Sequence, residues 1–412
     1  MLLLPCYIGI GFLELPYMVK LLGLWSGSIG QLLYGSLNIL ASLMLVDCAN
    51  TLTKRTGERL SDFGRVAEIS MAHGPSCLQS HAGKFRLSVN TSILINYGLF
   101  LPDLLSTMNL FMKDFLLQYV IINDVVSIVG ISVLLLPVYL TRRIKLLSYL
   151  TTAGNIVLFG ISIIAFQYIC RDLPDTRTRP AFKPVNFVTF TSFVNDVMFS
   201  FDGISLILPV RARMANKKRF DGLNGVLGVA LVFVTSFHIG CGFFGYLKFG
   251  ELTQVNFILN LPGDQWMYQS LKLLSFVTMY LSIGMVVYIV TGLVWGRLST
   301  MVRDDGVVRN NGESVCRVLL LIFTGTFTIL IPELEHLISL TGCFGPLYVV
   351  LVVPFVVKLL TLYGEEEPAL PLNKFKRKLT FLACVIILIF GIYSTISGIG
   401  VAVYTTLYHI EV

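Results

Sequence analysis

Long apolar stretches follow one another along the whole of this chain, separated by short charged segments. A hydrocarbon core about 30 Å thick is crossed by about 20 helical residues, and each charge left at its centre costs about 3 kcal/mol. Because lipid offers no partner to a bare peptide group, every crossing segment has to close its own backbone hydrogen bonds. The expected class is therefore all-α integral membrane. Spans are expected at 1–23, 26–52, 87–112, 124–140, 146–170, 187–210, 222–249, 266–296, 314–331, 333–362 and 379–410, about eleven transmembrane helices in all. With 55% of its 412 residues hydrophobic, 13% charged and a mean hydropathy of +0.77, the chain has little left for a soluble domain.

The net charge of +7 raises the question of nucleic acid, and the placement of the basic residues answers it. Lys54, Arg55, Arg59, Arg65, Lys84 and Arg86 lie between spans two and three. Arg142, Arg143 and Lys145 follow span four, and Arg211, Arg213, Lys217, Lys218 and Arg219 follow span six. Such alternation orients a protein in a lipid bilayer and is not a nucleic-acid surface; it puts the N-terminus in the cytoplasm and the C-terminus outside. Residues 60–71 mix Phe63, Val66 and Ile69 with Asp62, Arg65 and Glu68 at helical spacing, the pattern of an amphipathic helix along the inner surface. His73, Cys77 and His81 are spaced like metal ligands, but Gly74 and Pro75 break the helix that would align them. The eight cysteines lie singly, without a CxxC pair, so neither a metal nor another cofactor is expected. The apolar start lacks a basic leader and is expected to remain as the first helix; Met1 already lies inside that span, so a cytoplasmic tail and part of a turn are expected to be missing.

Two spans are interrupted by glycine, at Ile8-Gly9-Ile10-Gly11 in the first and Phe201-Asp202-Gly203 in the sixth. Breaking a membrane helix bares N–H and C=O groups that must then face protein, water or a ligand. Breaks at these two places are the pattern of five helices repeated as an inverted set of five, with the broken helices meeting at the midplane. On this reading the chain is a single transmembrane domain, with repeat one at 1–170, repeat two at 187–362 and an extra helix at 379–410. N–H groups at half-helix starts suit a carboxylate, and C=O groups at half-helix ends suit an ammonium. A free amino acid carries both. Read as packing instead, Gly9 and Gly11 would only let helices approach closely.

The segment IGIGFLELPYMVKLLG resembles the glycine-rich first helix of the proton-coupled amino acid transporters, a branch of the amino acid/auxin permease family. GPSCLQSHAGKFR, then NYGLFLPD with Tyr97 and Asp103, MFSFDGISLILPV, NLPGDQWMYQSLKLL and IPELEHLISLTG resemble that family in the same order. The resemblance implies the 5+5 inverted-repeat fold of the sodium-coupled amino acid symporters, with discontinuous helices one and six and an eleventh helix appended. It also implies proton-driven uptake of amino acids. Carried over residue by residue, Gly9, Ile10 and Gly11 present backbone to a substrate carboxylate, Tyr97 adds a hydroxyl, and Phe199, Ser200, Phe201, Asp202 and Gly203 line the side of the sixth helix. Ser282 on the eighth span is a further lining candidate. Without the resemblance, Tyr97 reads more often as a packing aromatic with a satisfied hydroxyl.

Departures from the family pattern fall on titratable positions. Asp202 stands where the family usually has Glu, keeping the acid and shortening its reach; it reads as a gating or coupling group, or as a cap on the half-helix. Glu14 replaces the usual glycine, and either titrates during transport, pairs with a cation such as Lys20 or faces a solvated vestibule. The family's first-helix histidine and asparagine align near Leu2 and with Tyr7, so its proton site does not carry over. Its paired luminal cysteines have no counterpart, and its Pro-Ala-Glu reads Val290-Thr291-Gly292. His238, deep in the seventh span, is a proton relay or a hydrogen-bonded packing residue. Lys272, at an early turn of span eight, is expected to snorkel outward.

The function expected is secondary active transport, a proton-coupled symport of small neutral amino acids by alternating access, with Asp202, Glu14 and His238 as coupling candidates. Phe199, Phe201 and Ile204 would limit side-chain size. The alternative is a transporter-like sensor that binds an amino acid and signals with little flux. No nucleophile and base pair appears at membrane depth, so an enzyme is not expected. The expected location is the plasma membrane or an endolysosomal membrane.

Overall fold

A computed structural model describes residues 9–116, 123–214, 216–299, 306–363 and 371–408. The expected beginning of the first span at Met1, with Leu2, Tyr7 and Ile8, lies outside the described residues. Described helices bear out the all-α class, and no strand occurs among them. A 3-10 segment, Ile10–Glu14, leads into α1 (Leu15–Leu22), and α2 (Leu24–Thr56), α3 (Phe63–Ala72), α4 (Ser76–Gln79) and α5 (Ala82–Leu116) follow. Then come α6 (Asp124–Leu140), α7 (Ile144–Ile169), α8 (Phe187–Ser200), α9 (Ile204–Ala212), α10 (Val226–Phe249) and α11 (Trp266–Leu298). The series ends with α12 (Gly306–Leu330), α13 (Leu334–Phe344), a π-helical turn at Leu347–Val352, α14 (Val353–Tyr363) and α15 (Pro371–Tyr408).

Eight helical stretches among the described residues are long and apolar enough to cross a membrane, α8 with α9 and α13 to α14 each counting as one. Three expected spans fall outside that set for different reasons. The first is described only as the 3-10 segment and α1. The third, α5, has 35 residues but carries Asn90, Asn96, Asp103 and Asn109, and α6 has only 17. Gly74 and Pro75 separate α3 from α4, as the sequence suggests. The helix expected at 60–71 is α3, started by Asp62, whose carboxylate accepts from the Arg65 N–H at 3.0 Å.

The chain forms two compact units: Met1–Gly27, Tyr97–Pro184 and Gly240–Ile338 make the first, and Ser28–Asn96, Val185–Ile239 and Ser339–Val412 the second. In the first unit, α7 packs along α11 and α6 along α12. Small residues allow the first of these contacts: a Cβ on Gly154 would stand 3.0 Å from the Thr278 carbonyl oxygen, and one on Gly284 2.7 Å from Leu147. Lys272 does not snorkel. It is 2% exposed, and its Nζ lies 2.6 Å from Asp114, a pairing between α11 and α5 that hydropathy cannot reveal.

In the second unit, α15 packs on α8, α14 and the π turn. Glycines again set the spacing, since a Cβ on Gly342 would meet the Asn195 backbone at 2.0 Å and one on Gly398 the Asn195 side chain at 2.5 Å. The Asn195 amide donates to Ser339 Oγ at 3.0 Å and to the Gly398 carbonyl at 3.3 Å, tying α8 to its neighbours. In the last turn of α9, Arg211 grips Asp221 of the following loop with two hydrogen bonds of 2.6 and 2.8 Å, and Asn50 on α2 bridges the pair at 2.5 Å to Arg211 and 2.9 Å to Asp221.

Candidate functional site

The break in the sixth span is present, and its freed backbone groups have named partners. α8 ends at Ser200 and α9 begins at Ile204. The Phe201 carbonyl, left without a helical donor, accepts the Asn38 amide at 2.7 Å. Asp202 Oδ1 accepts the Gly203 N–H at 2.8 Å, and its Oδ2 accepts the Asn96 amide at 2.7 Å. Gly203 is the N-cap of α9 and the helix has no side-chain cap there, so Asp202, two residues before Ile204, is an acid near the positive end of that half-helix and holds the break rather than the first turn. Phe199, Ser200 and Phe201 are buried at the end of α8, where C=O groups and the negative end of a helix dipole collect.

His238, which is 0% exposed, lies against the Phe201 ring with centroids 5.1 Å apart. Gly35 makes room beside them: a Cβ there would come 2.6 Å from Thr235 and 3.2 Å from Phe201. The second unit therefore brings together Phe199–Gly203 and His238, together with Asn38 and Asn96, which the sequence reading did not single out. Both asparagines are buried in spans, at 1% and 6% exposure, and a buried amide in lipid is itself a signal that a backbone group nearby needs a partner.

A third interruption was also missed. In the tenth span the α-helix gives way around Gly345-Pro346 to the π turn Leu347–Val352. The hydroxyl-bearing and amide residues Ser88, Ser92 and Asn96 recur every fourth position on α5 and serve both interruptions. Ser92 Oγ donates to the Phe344 carbonyl at 3.0 Å, Ser88 Oγ and the Tyr348 hydroxyl lie 2.9 Å apart, and Asn96 reaches Asp202. Gly345 is needed where Asn96 passes, since a Cβ would stand 2.3 Å from that of Asn96.

The first unit holds the other candidates. Gly9 precedes the 3-10 segment with φ −92° and ψ −161°, its carbonyl accepting the Phe12 N–H at 3.3 Å. A Cβ on Gly9 would meet nothing within 4 Å, so close helix packing does not account for it. Ile10 and Gly11 continue this turn, Gly11 buried. Beyond it Phe12 packs edge to face on Phe257 at 5.4 Å, and Tyr17 hydrogen-bonds Glu335.

Glu14 is 2% exposed and so does not face a solvated vestibule. Nor is it partnered by Lys20, whose Nζ instead reaches the Thr253 carbonyl at 3.2 Å and lies 5.4 Å from the centre of the Tyr17 ring. Gly23 (φ 103°) ends α1 in a left-handed turn against residues 180–183, and the Lys183 N–H donates to the Leu22 carbonyl at 2.8 Å. Tyr97 is half-buried on α5; Ser282 sits on α11 with its Oγ toward Gly154 of α7, 3.1 Å from where a Cβ there would stand.

Comparison with known proteins agrees with this construction. A sialic acid symporter coupled to Na+, solved in a substrate-bound outward-open state, superposes with a TM-score of 0.53 over 98% of this chain and 88% of its own, at 12% identity. The likeness shows that this chain has the symporter fold expected from its sequence. The Drosophila melanogaster "Proton-coupled amino acid transporter-like protein pathetic" is 24% identical over 365 residues, 87% of this chain and 75% of that protein. The Caenorhabditis elegans "Probable amino acid transporter skat-1" is 24% identical over 402 residues, 94% and 85% of the two. These relatives are named as transporters and not as enzymes. Residues 1–397 match the family described as transmembrane amino acid transporter protein, and the chain belongs to that family of multi-pass membrane transporters.

Proposed function

We propose that this protein is a proton-coupled symporter of small neutral amino acids that works by alternating access. The observation that carries the reading is the sixth-span break, where an acid, two asparagines and a half-helix end are held in one hydrogen-bonded arrangement. In that unit the carbonyl-rich end of α8 and the Asp202 carboxylate suit an ammonium group. In the other, the N–H groups of Gly9, Ile10 and Gly11 at the head of the 3-10 segment suit a carboxylate, with Tyr97 as a further hydroxyl. A zwitterion has both charges. Phe199, Phe201 and Ile204 form apolar walls, which discriminate by volume and so favour small side chains. Ser282 is the least supported of the lining candidates, since its Oγ faces a helix contact.

Asp202, Glu14 and His238 are the titratable groups proposed to respond to the proton. The basic loops put the N-terminus in the cytoplasm, and the membrane is the plasma membrane or an endolysosomal one. The whole chain is one transporting domain, its two repeats at 1–170 and 187–362 followed by the helix at 379–410.

The test is uptake of labelled glycine, alanine and proline into liposomes carrying the purified protein, with an inward proton gradient, with sodium, and with neither. Uptake that requires the proton gradient and fails in Asp202→Asn is expected. No uptake with alanine still bound would make the protein a sensor.

A further inference from the structure

Asp103 lies in the middle of α5, 13 residues from the end at Leu116, a rise of about 20 Å along the helix. Its exposure is 0%, and among the described residues no group donates a hydrogen bond to either of its carboxylate oxygens. Thr107, one helical turn further and 1% exposed, has a hydroxyl equally without a partner. Pro102 precedes Asp103; lacking an N–H, it leaves the Gly98 carbonyl without its helical donor. The Pro102 carbonyl is met from α12 by the Thr328 hydroxyl at 3.2 Å. The Pro102 carbonyl is thus answered, and the carboxylate oxygens of Asp103 are not.

Among the described residues the nearby cations of α5 and α12 are engaged elsewhere. On α5, Lys113 is taken by Asp124 at 2.6 Å and Asp114 by Lys272 at 2.6 Å. On α12, Arg317 is taken by Glu313 at 2.9 Å, and the Tyr139 hydroxyl of α6 is within 3.2 Å of Thr324 Oγ1. Glu14 is the other carboxyl of this unit buried to 2% exposure, and a second acid offers no compensation. A bare carboxylate in such a place would cost several kcal/mol, about 3 on the most lenient membrane scale. One proton on either oxygen removes the charge and turns that oxygen into a donor. A metal cation would demand several oxygens in fixed geometry, and the carboxyl and one hydroxyl fall short.

We propose that Asp103 is the coupling site for the transported proton, a role that rests on the symport reading above. The carboxylate takes one proton from water admitted on one side of the membrane and returns it to water on the other; no other bond changes. Asp202 differs, because its two hydrogen bonds engage it in holding the sixth-span break.

The test uses the full chain in liposomes, comparing wild type, Asp103→Asn and Asp103→Glu. Alanine accumulation under an inward proton gradient is measured beside alanine exchange with no gradient. Asp103→Asn mimics the protonated shape, so gradient-driven accumulation is expected to fall about tenfold while exchange persists in part. Asp103→Glu restores accumulation. The infrared band of a protonated carboxyl, present in wild type, is expected to fall as pH is raised across the range in which uptake is lost and to weaken in Asp103→Asn; a permanently protonated structural acid would give a band that does not follow pH. Accumulation by Asp103→Asn equal to wild type, or an unchanged band, overturns the assignment while leaving proton symport intact. Accumulation by wild type with sodium alone overturns the symport reading and the proton site together.

Discussion

Asp202, in the broken sixth span, accepts one hydrogen bond from the Asn96 amide and another from the Gly203 N–H, whereas Asp103, in the middle of α5, accepts none. Both are carboxyls on spans, and the chain has placed donors around only one of them. The first ties the opened stretch to α5, holding the Gly203 N–H and the Asn96 amide at the break. The second accepts no hydrogen bond among the described residues, and burying it costs stability that no contact there repays. Asp202 thus carries structural bonds beside the part in transport proposed for it, and Asp103 carries none.

The largest effect that would sharpen this contrast is on stability. Asp202→Ala strips the partner from the Asn96 amide and the Gly203 N–H at once, and should destabilise the protein by about 3 kcal/mol, from two hydrogen bonds to a charged acceptor. Thermal unfolding in detergent would show it as a fall in Tm. Asp103→Leu should act in the opposite direction, raising stability by about 1–2 kcal/mol because an unsatisfied buried acid is replaced by an apolar side chain of similar bulk. If both substitutions lower Tm alike, the two acids are not different in kind and the contrast fails.

A smaller effect isolates the asparagine that the sequence did not advertise. Asn38→Ala removes the donor to the Phe201 carbonyl and should cost about 1 kcal/mol, since interhelical hydrogen bonds in membranes are individually modest. It should also reduce alanine affinity by loosening the end of α8. Asn38→Asp restores an acceptor but no donor; equal stability in Asn38→Asp and wild type would show that the carbonyl at the break needs no partner.

Much of this arrangement was legible before the fold was seen. Apolar stretches matched eight of the expected spans to within about five residues, and the Phe201-Asp202-Gly203 break is visible because glycine and a charge are both costly inside a membrane helix. Hydropathy understated α5, whose Asn90, Asn96, Asp103 and Asn109 lower its apolar character although it runs for 35 residues. Pairings between distant spans were not legible. Nothing local in the sequence says that Asn38 faces the Phe201 carbonyl or that Lys272 finds Asp114, because those partners are fixed by packing. The π turn in the tenth span was hidden for another reason: LYVVLV is apolar in any helical pitch, so only the preceding Gly345-Pro346 hinted at a change.

The smallest effect concerns the loop after α9 and sets the pH range in which these comparisons hold. Partial burial pushes the Asp221 carboxyl up, but the Arg211 guanidinium and the Asn50 amide, with the charge of Lys217, override it and hold Asp221 below the usual carboxylate range. A carboxyl depressed on folding stabilises the folded state fully above its unfolded value, about 4 for aspartate, and loses that contribution as pH falls through the lower folded value. The loop should therefore stay latched to α2 and α9 throughout the range in which proton-driven uptake is measured, and loosen only in stronger acid. Asp221→Asn keeps the shape but gives up the charge, and should cost about 1 kcal/mol at neutral pH while removing the acid-dependent part of the unfolding curve. Hydrogen exchange at residues 216–225 as a function of pH measures this directly. Loosening already near pH 6 in wild type would mean that the latch titrates alongside transport, and the pH dependence of uptake would then have to be divided between Asp221 and Asp103.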